Sequence, residues 1–319
     1  MTAHATARAV SAWRTTQFLS VPDLTPGEVE MCLELAASLK AARHAGRPHS
    51  TPLAGRHIAL LFEKPSLRTR CTFTIAIREL GGDIVEPPAD TVLGTRETIE
   101  DVARNFERWV FGVVMRTFEQ DRIERLAAAA PTLRVVNALT DEEHPCQALA
   151  DVMTMMERWG SLRGRRVAFV GDGNNVASSL AQAVLMLGGD VVVASPGGYE
   201  LPEGVRASAL RGARFGATLT LTGDPLEAAA GADAIYTDTW TSMGQEHTAE
   251  VRRDLFTPFQ VNAALMQRAP KDALFMHCLP AHRGEEVTDD VIESPNSVVF
   301  DQAENRLHVQ KALLALLAS

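Results

Sequence analysis

Cysteine is scarce in this 319-residue chain and never paired: Cys32, Cys71, Cys146 and Cys278 stand singly, with no CxxC and no regular spacing. That pattern excludes a disulfide framework or a zinc site built from cysteine pairs, and it fits a reducing, cytoplasmic compartment. Long hydrophobic runs are missing too. With 46% hydrophobic and 22% charged residues the chain is too polar to span a membrane. The first sixteen residues mix Ala, Thr, Arg and His without the apolar stretch of a secretory signal, and they read as a loosely ordered extension. Nor is there a surplus of positive charge. A formal net charge of −9 and a pI near 5.5 supply no basic field to attract nucleic acid or anionic lipid, so a phosphate ligand has to be held by a local site.

What is present is an alternation of short apolar runs with amphipathic stretches, over a length that suits two ordinary domains. Thr25-Pro26-Gly27-Glu28 sets a capping residue, a first-turn proline and a capping-box glutamate ahead of Val29, Cys32, Leu33, Ala36 and Leu39 at helical spacing, which predicts a helix. Runs at 57–62, 83–86, 110–115 and 135–137 read as buried strands. A helical pattern from Pro145 to Trp159 ends at Gly160, and a basic loop then leads to a new strand. The domain boundary is placed here, giving a first domain of residues 1–148 and a second of 149–304. The second half repeats the alternation, with strands at 167–170, 190–194, 234–236 and 274–277, and residues 305–319 have the apolar spacing of a closing helix that returns to the first domain. The fold expected is α/β: two doubly wound parallel-sheet domains with the active site in the cleft between them.

After the strand ending at Phe62 comes Glu63-Lys64-Pro65-Ser66-Leu67-Arg68-Thr69-Arg70, opening the helical pattern of Phe73, Ile75, Ala76, Ile77 and Leu80. Strand, turn and helix start in that order present backbone N–H groups and a positive dipole end to an anion. Ser66 and Thr69 add hydroxyls and Arg68 a planar fork for phosphate oxygens. A capped helix with exposed arginines explains the same segment equally well, and the Gly-Lys-Ser/Thr ending of a Walker loop is missing. Further on, Arg116 follows a buried strand, and His144-Pro145-Cys146-Gln147 opens the helix that joins the domains. Singly, each is more often structural. Three segments at equivalent strand or helix ends, all offering donors to an oxyanion, favour a site.

These residues resemble the carbamoyl phosphate-binding half of the aspartate/ornithine carbamoyltransferase family: a Ser-x-Arg-Thr-Arg turn at Ser66 to Arg70, an arginine at Arg116, and His-Pro-x-Gln from His144 to Gln147. Asp238-Thr239-Trp240-Thr241-Ser242-Met243-Gly244 and His277-Cys278-Leu279-Pro280 are similar to segments of the ornithine branch; the aspartate branch lacks the Ser-Met-Gly loop. The motifs occur in the family's order from about Phe18 onward.

The resemblance implies an enzyme that moves the carbamoyl group of carbamoyl phosphate to the side-chain amine of L-ornithine, giving citrulline and phosphate in arginine biosynthesis, with no metal or organic cofactor. It implies a homo-oligomer, a trimer or a multiple of one. By the same resemblance Ser66, the Leu67 backbone, Arg68 and Arg116 grip the phosphate, while His144, Arg306 and Thr69 donate toward the carbonyl oxygen. Gln147 and the Leu279 carbonyl orient the carbamoyl nitrogen, and Cys278 lies beside ornithine. Asn174, Asn175, Asp238, Ser242 and Met243 bind ornithine. The catalytic set is then Arg68, Arg116, His144, Cys278 and Arg306. Two departures stand out: Leu67 replaces a common threonine, and Val92 replaces a glutamine that in relatives reaches the phosphate. Arg96 is the candidate to compensate.

Gly171-Asp172-Gly173-Asn174-Asn175 between a strand and a helix also invites a dinucleotide-binding reading. The third glycine is absent, and the next strand ends in Ala194-Ser195-Pro196 rather than an acidic residue for a ribose. Asp238, at a sheet's carboxyl edge, instead suits an α-ammonium. Competing readings are a carbamoyltransferase for N-acetylornithine or putrescine, whose phosphate half has the same sequence signals, and a catalytically silent paralogue.

Overall fold

The computed structural model describes residues 13–88, 92, 93, 96–242, 244 and 246–319. They form two compact units, one of Met1–Ala150 with Glu304–Ser319 and the other of Asp151–Ala303.

In the first unit α1 (Pro26–His44) precedes β1 (His57–Phe62), α2 (Leu67–Glu79), β2 (Asp83–Val85), α3 (Ile99–Trp109), β3 (Gly112–Arg116), α4 (Gln120–Ala129), β4 (Arg134–Leu139) and the start of α5 (Pro145–Trp159). The strands make one parallel sheet in the order β2-β1-β3-β4. After β1 the chain goes to one side for β2 and then crosses to the other for β3, so the strand order reverses between β1 and β3. Ala59, Leu61, Val113, Met115 and Val135 of the sheet pack against Val102, Ala103 and Phe106 of α3 and Ile123 and Leu126 of α4. Truncating a buried aromatic such as Phe106 to alanine removes about 3–5 kcal/mol of such packing. β2 is not the buried strand its apolar residues suggested: it has one neighbour, lies at the sheet edge, and alternates exposed and half-buried.

The start of α1 shows how sequence sets local structure. Thr25 Oγ1 accepts from the Glu28 N–H at 3.2 Å, and Glu28 Oε2 accepts from the Thr25 N–H at 2.9 Å. The other carboxylate oxygen takes the N–H groups of Arg14 and Thr15 at 2.9 and 3.0 Å and the Thr15 hydroxyl at 2.9 Å. Burial acts to raise the Glu28 pKa, but donors from Thr25, Arg14 and Thr15 outweigh it and hold the carboxyl at about 2. Residues 13–16, expected as part of a loose extension, are therefore fastened; the preceding residues lie outside the described ones.

The second unit continues α5 and adds β5 (Arg166–Val170), α6 (Asn175–Met186), β6 (Asp190–Ala194), α7 (Glu203–Gly212), β7 (Leu219–Thr222), α8 (Pro225–Ala229), β8 (Ala234–Thr237), α9 (Ala249–Phe256), α10 (Ala263–Met266), β9 (Leu274–His277) and α11 (Asp289–Ile292). Its parallel sheet runs β7-β6-β5-β8-β9, and the order reverses between β5 and β8. From Val176 to Met186, α6 is buried on every side, as a mostly apolar helix without a charge can be. The last helix, α12 (Val299–Leu317), starts earlier than the pattern from 305 suggested. From Glu304 on it belongs to the first unit, where buried Lys311 pairs with Glu79 at 2.5 Å and Arg56 Nη1 donates to the Ala318 carbonyl at 2.9 Å.

Candidate active site

Ligands of open parallel sheets collect at the carboxyl ends of the strands where the order reverses. In the first unit that place is β1 and β3, whose ends are tied by a Glu63 N–H to Arg116 carbonyl bond of 2.9 Å. From β1 the chain turns into α2 with Ser66 as its N-cap, the hydroxyl oxygen accepting from the Thr69 N–H at 3.2 Å. Geometry leaves the first N–H groups of a helix, here those of Leu67 and Arg68, without an intrahelical acceptor. The turn is braced from behind: Glu63 accepts from Thr117 and from Arg122, and buried Lys64 is paired with Asp141. Arg70 is also committed, paired to Glu86 with its guanidinium 5.0 Å from the Phe62 ring centroid.

Arg116 is the last residue of β3 and is 4% exposed, while His144 immediately precedes α5 and is 5% exposed. Arg306 arrives from α12. Its guanidinium donates to Gln147 Oε1 and, at 2.5 Å, to Thr69 Oγ1, joining three elements far apart in sequence. Two donors on one rigid fork leave little freedom for the side chain. Burial lowers the His144 pKa well below its usual value, and Arg306, Arg116 and Arg68 lower it further. His144 is accordingly a neutral imidazole, a donor or acceptor rather than a cation. Ser66, Arg68, Thr69, Arg116, His144, Gln147 and Arg306 therefore come together in this unit as hydroxyls, guanidiniums and one neutral ring, an arrangement that suits a phosphate with an adjoining carbonyl.

In the second unit the reversal lies between β5 and β8. Asn174 follows β5 and caps α6, its Oδ1 accepting from the Val176 and Ala177 N–H groups at 3.0 and 3.1 Å. Its Nδ2 donates to Asp238 Oδ2 at 2.8 Å, and the Cys278 thiol donates to Asp238 Oδ1 at 3.0 Å. Asp238, just past β8, is thus held by one donor on each oxygen. The amide that caps α6 with its oxygen thus also aims the Asp238 carboxylate with its nitrogen. Asn175 is the first residue of α6, and Ser242 lies half-buried in the loop after β8. Met243, the other loop residue expected to touch substrate, lies outside the described residues.

The Cys278 turn is fixed from below. The Leu279 N–H donates to His277 Nδ1 at 2.8 Å, so that nitrogen is unprotonated and Nε2 carries the proton toward Glu286 Oε1 at 3.1 Å. Leu279 sits at φ 58°, a left-handed conformation that costs about 1–2 kcal/mol for a residue with a side chain, and its bond to His277 helps hold it there. Sequence reading passed over this His277–Glu286 pair, both fully buried, because nothing marks a histidine inside a strand as the anchor of the following turn. It also passed over Arg252. That side chain donates to Asp172 and to the Trp240 carbonyl and lies 4.7 Å from the Tyr199 ring centroid, linking the segment after β5 to the one after β8. Burial raises the Asp172 pKa to about 6 despite Arg252 beside it.

Gly173 is accounted for by the packing of its own unit. A Cβ there would stand 2.4 Å from the Leu201 nitrogen and 2.5 Å from the Glu200 carbonyl carbon, so the glycine is required by the chain's own backbone. Val92 lines, with Glu97, Thr98, Arg122 and Arg125, a surface cavity in the first unit. Arg122 and Arg125 are paired with Glu63 and Glu100, and Arg96 is exposed. Leu67 is 75% exposed and offers the turn only its backbone.

Comparison with known proteins places these features in a lineage. The aspartate/ornithine carbamoyltransferase carbamoyl-P binding domain matches residues 16–157, and the Asp/Orn binding domain of the same family matches residues 163–317. A Rhodococcus jostii protein described as ornithine carbamoyltransferase is 52% identical over 303 residues, 94% of this chain and 95% of that one. An anabolic ornithine carbamoyltransferase of Pyrococcus furiosus is 51% identical over 300 residues, 93% of this chain and 95% of that one. The solved structure of ornithine carbamoyltransferase from Pyrococcus furiosus superposes with a TM-score of 0.91 at 51% identity, covering 95% of this chain and 96% of that one.

Proposed function

The chain belongs to the aspartate/ornithine carbamoyltransferase family, and from that premise we propose that it transfers the carbamoyl group of carbamoyl phosphate to the side-chain amine of L-ornithine, giving L-citrulline and phosphate. The observation that carries the reading is the buried Arg306 fork, bonded to Thr69 and Gln147 beside a neutral His144. Substrate with a phosphate at one end and a carbonyl at the other finds cationic forks for the first and neutral, prepositioned donors for the second.

In this mechanism Arg68, Arg116, the Ser66 hydroxyl and the first N–H groups of α2 bind the phosphate. His144, Arg306 and Thr69 stabilise the charge that develops on the carbonyl oxygen, and Gln147 and the Leu279 carbonyl orient the carbamoyl nitrogen. Asp238, aimed by Asn174 and Cys278, holds the α-ammonium of ornithine; Asn175, Ser242 and Met243 complete the amino-acid end. The nucleophilic amine has an ordinary pKa of about 10.4, so the site must favour its neutral form, which burial near arginines does. Attack forms the C–N bond, the C–O bond to phosphate breaks, and the departing phosphate takes the amine proton. Cys278 orients and does not attack.

The same reading makes residues 1–148 with 305–319 the carbamoyl phosphate domain and 149–304 the ornithine domain. It includes a homotrimer, supported by the apolar side chains of Leu67 and Trp109, 75% and 66% exposed, and a cytoplasmic, biosynthetic role. Among the described residues no helix is long and apolar enough to cross a membrane. Citrulline formation with ornithine, N-acetylornithine, putrescine and aspartate tests the activity, and light scattering tests the trimer. Turnover with ornithine alone supports the proposal; turnover with another amine overturns the ornithine half, and none with any amine makes the chain a silent paralogue.

A further inference from the structure

A group of side chains outside the candidate active site has the makings of a metal site. Glu304 and His308 lie one turn apart on α12, the i, i+4 spacing that points two ligands in one direction, and His44 is the last residue of α1. His44 Nε2 is 2.7 Å from Glu304 Oε1, and His308 Nε2 is 3.6 Å from the same oxygen. All three ligand atoms lie within 4.8 Å of one another. Ligands bound tetrahedrally at about 2.1 Å from one ion stand about 3.4 Å apart, so small side-chain adjustments close the set.

The second observation is His308 itself. It is fully buried, and neither ring nitrogen has a hydrogen-bond partner among the described residues. A buried imidazole whose nitrogens make no hydrogen bond is unfavourable, and a bound ion facing Nε2 relieves that in part. Of the nearby cations, Lys40 is 3.7 Å from Glu304 Oε2 and donates to Asn305 Oδ1 at 2.8 Å, while Arg43 is paired with Glu79 at 3.0 Å. They weaken attraction for a cation, whereas the carbonyl end of α1 favours one.

We propose that His44, Glu304 and His308 form a binding site for a borderline first-row dication such as zinc or cobalt(II), with one coordination position left to water. Two imidazoles and a carboxylate are a donor set such ions accept. The ion joins the end of α1 to the segment of α12 that carries Arg306, and so clamps that segment within the first unit.

The test is cobalt(II) titration of the chelator-treated full chain. A single equivalent should bind with visible ligand-field absorption and no thiolate-to-metal charge transfer, and excess ion should raise the thermal midpoint by several degrees. His44→Ala and Glu304→Gln, whose side chains are partly exposed and tolerate replacement, should each weaken binding at least tenfold (about 1.4 kcal/mol) and abolish the midpoint shift with carbamoyl transfer unchanged. Cys278→Ser should leave the equivalent in place. No binding, binding indifferent to both substitutions, or a sulfur charge-transfer band that disappears with Cys278→Ser overturns the site.

Discussion

Replacing Cys278 by alanine isolates one of the two bonds that aim Asp238. The thiol donates to Oδ1 at 3.0 Å, and the Asn174 amide, at 2.8 Å on Oδ2, remains in the variant. A hydrogen bond to a charged group contributes about 1.5–3 kcal/mol, and a thiol, being a weak donor, belongs at the lower end, near ~1.5 kcal/mol. That corresponds to about a tenfold loss of kcat/KM for ornithine, since each ~1.4 kcal/mol is a factor of ten. The assay is steady-state citrulline formation with ornithine varied at saturating carbamoyl phosphate. Cys278→Ser, which keeps a donor on a shorter bond, should recover part of the loss. In an Asp238→Ala background the same Cys278→Ala change should cost little, because its partner is gone. An unchanged kcat/KM in Cys278→Ala, or an equal tenfold loss with and without Asp238, would refute the reasoning.

Glu28→Gln should lower stability by about 3 kcal/mol or less at neutral pH, from a carboxyl held at about 2 instead of 4.5. Because the folded pKa is depressed, this stabilisation is present above about 4.5 and disappears as pH falls through about 2, so the gap in urea midpoint between wild type and variant must close over that window. Gly173→Ala, whose Cβ meets backbone at 2.4 and 2.5 Å, should cost about 1–3 kcal/mol and raise the ornithine KM by moving Asn174, whereas Gly197→Ala, with nothing within 4 Å, should be silent. Equal melting temperatures for the two glycine variants would contradict the packing argument. His144 should show no ionisation by NMR through the pH range where an ordinary histidine titrates, since burial and three arginines keep it neutral; a midpoint near the ordinary histidine value would contradict that state.

The strands β1, β6 and β9 are legible to the residue, as is α5, because each is a short apolar run or a helical face that stands out from its surroundings. β7, Leu-Thr-Leu-Thr, is not among the expected strands: as an edge strand with one neighbour it needs no continuous apolar run, and its alternation lasts only four residues. β2 differs from the buried strand expected for the opposite reason: Ile84 and Val85 are apolar although the edge leaves them partly in solvent. At the site, Ser66, Arg68, Arg116 and His144 announce themselves by standing at strand and helix ends. Arg306 does not. It sits within a helix with no local motif, and its bonds reach Gln147 and Thr69 across 159 and 237 positions, so only the resemblance pointed to it. Arg252 acts through Asp172, 80 positions away, and Glu286 through His277, 9 positions away, and no residue-level pattern identifies either.

The first unit is discontinuous, with Glu304–Ser319 separated from Met1–Ala150 by the whole of the second. As the chain leaves the ribosome, every residue that flanks the Arg306 fork except Arg306 itself is available long before synthesis ends. Thr69 and Gln147 have to wait for their partner, while Asp151–Ala303 is contiguous and can fold as it emerges. On the proposed function, a nascent chain that has not yet reached Arg306 carries the amino-acid end of the chemistry without a finished anion cradle, and competence to bind carbamoyl phosphate waits for the segment from Glu304 on.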